Sequence, residues 1–198
     1  MYIENPISEA TSGKHIRGIP LYHMKDGKVR WRFVACELNL ELREDNHQGT
    51  PPLMIVRAIV SRAGSAPDEF GQHRRMIRIW DVRKAFFNAE LDEIIYVHPG
   101  KELCKPGYCW WLRKAMNGTR KASQLWGETV RAVMDDGSWI TLASVPNAWY
   151  KQGSDRKDGL SGDDRKQPRD DATAVCHGDD VIAEGYPEDL EELDLILS

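Results

Sequence analysis

The chain has 198 residues, 41% hydrophobic and 29% charged, with a formal net charge of −4. That length holds one domain, or one and a half, around a real core, and the acidic total argues against a protein that coats nucleic acid by charge alone. Its four cysteines form no C-x-x-C pair, which excludes a zinc ribbon and gives no sign of a disulfide framework.

No apolar run reaches the length of a membrane span, and Met1 to Ser8 has neither the basic nor the apolar region of a secretory leader. The expectation is an intracellular protein with no membrane partner, in cytoplasm or nucleus. Charge is unevenly spread. His73-Arg74-Arg75, Arg78, Arg83 and Lys84 crowd one stretch, and Arg113-Lys114, Arg120-Lys121 and Arg131 another, so local basic surface is compatible with the acidic sum.

In chain order, residues 1–27 carry Pro6, Gly13, Gly18, Pro20 and Gly27 and read as a loosely ordered lead-in. From Lys28 the alternation K-V-R-W-R-F-V-A-C predicts a strand. Leu38 to Gln48 is polar and irregular. Thr50-Pro51-Pro52 is a helix-start signal, followed by Leu53, Val56, Ile59 and Val60 at helical spacing. Gly64 to Gln72 reads as a loop. Met76 to Val82 is a strand that carries Asp81 at its end. Ala85 to Leu91 predicts a turn or short helix. Ile94 to Val97 and Cys109 to Leu112 predict strands. Ala122 to Met134 is an amphipathic helix. Residues 151–171 are dominated by charge, Gly, Ser and Pro, and read as a surface loop or insertion. Ala172 to His177 and Val181 to Ala183 flank an Asp-Asp pair, and Pro187 opens a last helix.

Adjacent aspartates recur at Asp135-Asp136, Asp163-Asp164, Asp170-Asp171 and Asp179-Asp180. A bare pair is therefore a solvated turn by default. Only Asp179-Asp180 is bracketed by β-prone apolar residues, with Gly178 to permit a tight turn. Two carboxylates held unsolvated at such a tip would be costly without a neutralising cation. Asp81, if its strand lies beside the hairpin, would share a metal pair with Asp179. Hard oxygen ligands suit Mg²⁺, and two ions could serve an in-line phosphoryl transfer. The solvated turn and the metal site both stand at this point.

The order of the motifs resembles the reverse transcriptase region of copia-type retrotransposon polyproteins. Asp81-Val82-Arg83-Lys84-Ala85-Phe86-Phe87-Asn88-Ala89-Glu90-Leu91 is similar to the family's D-V-K-T-A-F-L-N-G-x-L. Leu112 to Trp126, L-R-K-A-M-N-G-T-R-K-A-S-Q-L-W, is similar to L-K-K-A-L-Y-G-L-K-Q-A-P-R-A-W. His177-Gly178-Asp179-Asp180 stands where the family has Y-V-D-D, and Arg30 to Ala35 resembles K-A-R-L-V-A. The resemblance runs from about Lys28 to Leu197.

It implies an α+β fold: a palm-like antiparallel sheet with helices on one face and a partial fingers region. Residues 28–75 would be fingers and 76–198 palm, with the thumb and the RNase H part absent. It implies RNA-directed DNA polymerisation with two Mg²⁺ (or Mn²⁺) ions, on an RNA or DNA template-primer with deoxynucleotides. Asp81, Asp179 and Asp180 would be catalytic, and the same residues with the Val82 carbonyl would hold the metal. Arg30 and Arg32 would hold the triphosphate. Phe86 would exclude a ribose 2′-hydroxyl. Asn117, Gly118 and Arg120 would line the nucleotide and template side, Gly118 by letting backbone approach the substrate. His177, Gly178, Asn117 and Ser123 depart from the family's pattern, and a glycine inside a strand would loosen it. Two alternatives go with this reading: a non-catalytic remnant that at most binds nucleic acid, and another carboxylate phosphoryl-transfer enzyme.

Overall fold

The computed structural model describes residues 1–38, 50–65, 75–152 and 172–197. The described residues are mixed α+β, with ten strands in two sheets and three α-helices. The chain divides into two compact units that interleave in sequence: Met1–His47 with Lys84–Thr129, and Gln48–Arg83 with Val130–Ser198. The expected division at residue 75 is therefore replaced by a discontinuous one. Hydrophobic periodicity is a local signal and cannot show which distant segments share a core.

The first unit holds β1 (Tyr2–Pro6), β2 (Lys14–Lys25), β3 (Lys28–Cys36), β5 (Ile95–His98) and β6 (Tyr108–Leu112). Their order is β1-β6-β5-β2-β3, with β2 and β5 parallel and the other neighbours antiparallel. The lead-in is thus corrected to two strands. Its prolines are tolerated because Pro6 ends β1 and Pro20 lies in a strand whose far half is exposed. Alternation sends Ile95, Val97, Trp110, Leu112 and Ala35 to one face, where they close a core with Met116, Ile16, Phe33, Phe87 and Leu91. Tyr96, Cys109 and Trp111 occupy the other face with Ala10. Each fully buried branched or aromatic side chain here contributes roughly 1.5–3 kcal/mol. A short 3-10 turn, Ala85–Asn88, follows Lys84, which is left-handed at φ 54°.

The second unit holds β4 (Met76–Asp81), β7 (Ile140–Thr141), β8 (Ala148–Lys151), β9 (Ala172–His177) and β10 (Asp180–Gly185). They form a fully antiparallel sheet in the order β4-β10-β9-β8-β7. Helix α1 (Leu53–Ser65) starts at the Pro51-Pro52 signal, with the Ile55 N–H donating to the Pro52 carbonyl. Its Ile59, Ile55 and Val56 pack on Ala148, Val175 and Ile182. Helix α3 (Pro187–Leu197) lies on the opposite face: Asp194 accepts from Trp80 Nε1 at 2.6 Å and pairs with Arg78, while Glu192 pairs with Lys151. Trp80 and Ile79 are neighbours in one strand and so point to opposite faces. The expectation of helices on one face is corrected accordingly. Helix α2 (Ala122–Asp136) carries residues of both units. The expected loop at 151–171 falls, from residue 153 on, outside the described residues, as do most of Leu38–Gln48 and Gly64–Gln72.

Beneath α1, Glu184 is fully buried. It is gripped by Arg75, whose Nε donates to Oε2 at 2.7 Å, and by Arg62, whose Nε lies 3.4 Å from Oε1. Arg62 also donates to Thr173 Oγ1 at 3.0 Å. A buried carboxylate needs such partners, because unpaired it would cost several kcal/mol.

Candidate functional site: an aspartate pair across β4 and β10

The β9–β10 hairpin closes with His177 paired to Asp180 and only Gly178-Asp179 between them. Gly178 has φ +65°, and Asp179 is not among the residues of positive φ. A left-handed glycine at the first central position alone is the pattern of a type II′ turn, whose twist suits a two-residue hairpin. Gly178 is therefore a turn residue and not a weak point in a strand. That corrects the expectation drawn from its replacement of an apolar residue.

The register between β4 and β10 fixes what stands opposite Asp81. Its partner on β10 is Asp180, and the Val82 N–H donates to the Asp179 carbonyl at 2.9 Å. Hydrogen-bonded and non-hydrogen-bonded pairs alternate along an antiparallel ladder. Asp81 and Asp180 are thus a non-hydrogen-bonded pair, with Cβ atoms about 5 Å apart and side chains on one face. The sequence suggested Asp81 with Asp179. The structure puts Asp180 across from it and Asp179 in the turn. All three aspartates are exposed, so the expectation of unsolvated carboxylates is corrected too. Strand β4 is the sheet's edge, and an edge leaves its terminal side chains in water.

Like charges directly opposite each other destabilise a sheet. No basic side chain is paired to Asp81 or Asp180 in the described ion pairs. The donor set is all hard oxygen, the kind that Mg²⁺ or Mn²⁺ takes. Among the described residues, however, no three His, Cys, Asp or Glu side chains gather closely enough to hold a metal ion. What the structure brings together is one facing pair of hard-oxygen carboxylates, Asp81 and Asp180, with Asp179 next to Asp180 in the chain. A cavity of about 520 Å³ in this unit lies elsewhere, between α1 and the sheet, lined by Ile55, Ile59, Arg62, Leu142, Tyr150 and Thr173 among others.

The residues expected to bind nucleotide all fall in the first unit. Arg30 and Arg32 lie on the exposed outer part of β3; Arg30 is 4.0 Å from Asp26 and more than half exposed. Phe86 is half-buried in the 3-10 turn, while its neighbour Phe87 packs in the core. Asn117, Gly118 and Arg120 are brought against the end of β3. The Asn117 carbonyl accepts from the Ala35 N–H at 2.9 Å and that of Gly118 from the Glu37 N–H at 3.3 Å. The Arg120 N–H donates to Glu37 Oε2 at 2.8 Å. Burial pushes the Glu37 carboxyl up, but the Arg120 N–H and the Lys14 ammonium outweigh it and hold the group below the usual carboxylate range. Lys14 in turn bridges Glu37 and Glu93 at 2.8 and 2.7 Å.

Gly118 has φ +90°, and a Cβ there would sit 1.9 Å from the Ala35 carbonyl oxygen. The close approach that demands glycine is made by the chain itself. That replaces the expectation that a substrate makes it. Sequence reasoning missed the Lys14–Glu37–Arg120 brace, because Lys14 lay in the supposed lead-in. Compared with known proteins, the chain matches no family model, and no curated protein matches it significantly.

Proposed function

We propose that the chain is a carboxylate-centred nucleotidyl-transfer domain of the reverse-transcriptase kind, related to copia-type retrotransposons. The observation that carries the proposal is the Asp81–Asp180 pair beside the Gly178-Asp179 turn on a fully antiparallel sheet. Two mutually repelling carboxylates at an open strand end are what a divalent cation stabilises. Bound there, a cation would polarise a phosphoryl oxygen and lower the pKa of an attacking hydroxyl. Asp81, Asp180 and Asp179 would be its protein ligands, with Val82 held in place by its bond to the Asp179 carbonyl.

In the first unit, taken by itself, the Arg30 and Arg32 guanidiniums are exposed donors suited to phosphate oxygens. On this reading the palm-like sheet is the second unit and the fingers-like part is β2–β3. The basic face of β3 favours a second reading, a domain that binds nucleic acid without chemistry.

Primer extension on an RNA template with Mg²⁺ or Mn²⁺ separates the two. Extension by the parent chain that Asp81→Asn abolishes supports transfer. Template binding with no extension supports the second reading, and neither binding nor extension sinks both.

A further inference from the structure

Strands β2 and β3 run on past the rest of their sheet as a two-stranded ribbon, closed by Asp26-Gly27. Both turn residues have positive φ, 53° and 70°, the signature of a type I′ hairpin. The pairing sorts most of the side chains, Leu21 being the exception on the basic side. Tyr22 faces Trp31 and Met24 faces Val29 on one side; Leu21 faces Arg32, His23 faces Arg30 and Lys25 faces Lys28 on the other. The ribbon has one apolar, aromatic face and one basic face. The apolar face continues, along β2 and β3, the face on which Ile16, Phe33 and Ala35 build the core. Beyond that core nothing in the chain covers it among the described residues: Tyr22, Met24, Val29 and Trp31 are 68, 66, 67 and 58% exposed.

We infer that this face is a self-association surface, taken up by the same face of a second copy. Single-stranded nucleic acid would need aromatic rings and cations on one side, so that bases stack while phosphates are neutralised. Here the two kinds of residue point in opposite directions. A second copy related by a two-fold axis meets the requirement the ribbon sets. Tyr22 and Trp31 of one copy lie against the apolar side chains of the other, and both basic faces turn outward, so no like charges meet. The four side chains offer roughly 500 Å² per copy, which brings the pair to about 1,000 Å², where specific interfaces begin. The inference is independent of the nucleotidyl-transfer reading, since it uses the face that Arg30 and Arg32 do not occupy.

Sedimentation velocity on the full chain tests it. Over about 1–100 µM the parent should convert from monomer to dimer, the range expected of a small interface. Trp31→Glu should stay monomeric throughout, and so should Met24→Lys, which guards against a folding defect in the first variant. Lys25→Gln with Lys28→Gln, on the opposite face, should dimerise as the parent does. A parent that remains monomeric at about 100 µM, or a Trp31→Glu chain that dimerises equally well, overturns the inference. So does a monomeric parent whose binding to polyuridylate is lost on Trp31→Glu, because the rings would then serve as a stacking platform.

Discussion

Asp81 and Asp180 are direct cross-strand partners, two carboxylates on one face at the open end of β4 and β10. Nothing in the packing of the sheet requires them. A neutral residue at either position would pair as well or better, which is the physical ground for the proposal that they hold a cation.

The first prediction follows from that repulsion. In the presence of a chelator, Asp180→Asn should raise the melting temperature by about 1–2 °C, the size of one relieved like-charge pair in a chain of this length. With several millimolar Mg²⁺ the order should reverse, since the parent gains a bound ion that the variant lacks. A variant that melts below the parent in chelator would show that the pair is not repulsive as placed.

Gly118 gives a prediction about folding alone. Gly118→Ala must adopt φ +90° and displace the Ala35 carbonyl from 1.9 Å. The strain alone costs about 1–3 kcal/mol, before the displaced carbonyl is counted. Urea denaturation should show the loss as a lower midpoint with an unchanged slope. Gly27→Ala, where a Cβ meets nothing within 4 Å, should cost less.

The buried charge cluster predicts a strong asymmetry. Arg75→Met leaves Glu184 buried against Arg62 alone and should destabilise by about 3–5 kcal/mol. Adding Glu184→Leu should recover much of that, because the pair is expensive to break and cheap to replace. Chemical denaturation of the single and double variants reads the coupling directly.

His98 sets a pH dependence. Burial, and then the charge of neighbouring His15, hold its pKa below the ordinary 6.5. The two rings are linked by a bond of 2.8 Å between His15 Nδ1 and His98 Nε2. The folded state binds this proton less readily than the unfolded state. Its stabilisation is therefore complete above pH 6.5 and is lost as pH falls from there through the folded pKa. His98→Gln should flatten the stability profile across that window. A profile unchanged by the substitution would remove His98 as its source.

Much of this was legible in local chemistry. Gly178 between β-prone flanks announced the hairpin, Pro51-Pro52 announced α1, and the alternation of Met76 to Asp81 announced β4. The pairing of Asp81 with Asp180 was not legible, because β4 and β10 lie about a hundred residues apart with no turn joining them to set the register, and a one-residue slip exchanges the faces. The strand β2 was hidden by Gly18 and Pro20, which read as breakers. Gly18 is there because the Phe33 ring lies over it, 2.1 Å from where a Cβ would stand. The interleaving of the two units and the placement of α3 opposite α1 are set by long-range packing, which leaves no mark on spacing.

The most direct test of the account is Mn²⁺ titration followed by electron paramagnetic resonance, in which bound ion loses the sharp six-line signal of free ion. The parent chain should deplete the free signal, and Asp81→Asn with Asp180→Asn should leave it intact. A parent that leaves the free signal undiminished, or a double variant that depletes it equally, would contradict the proposal that the aspartate pair holds a metal ion.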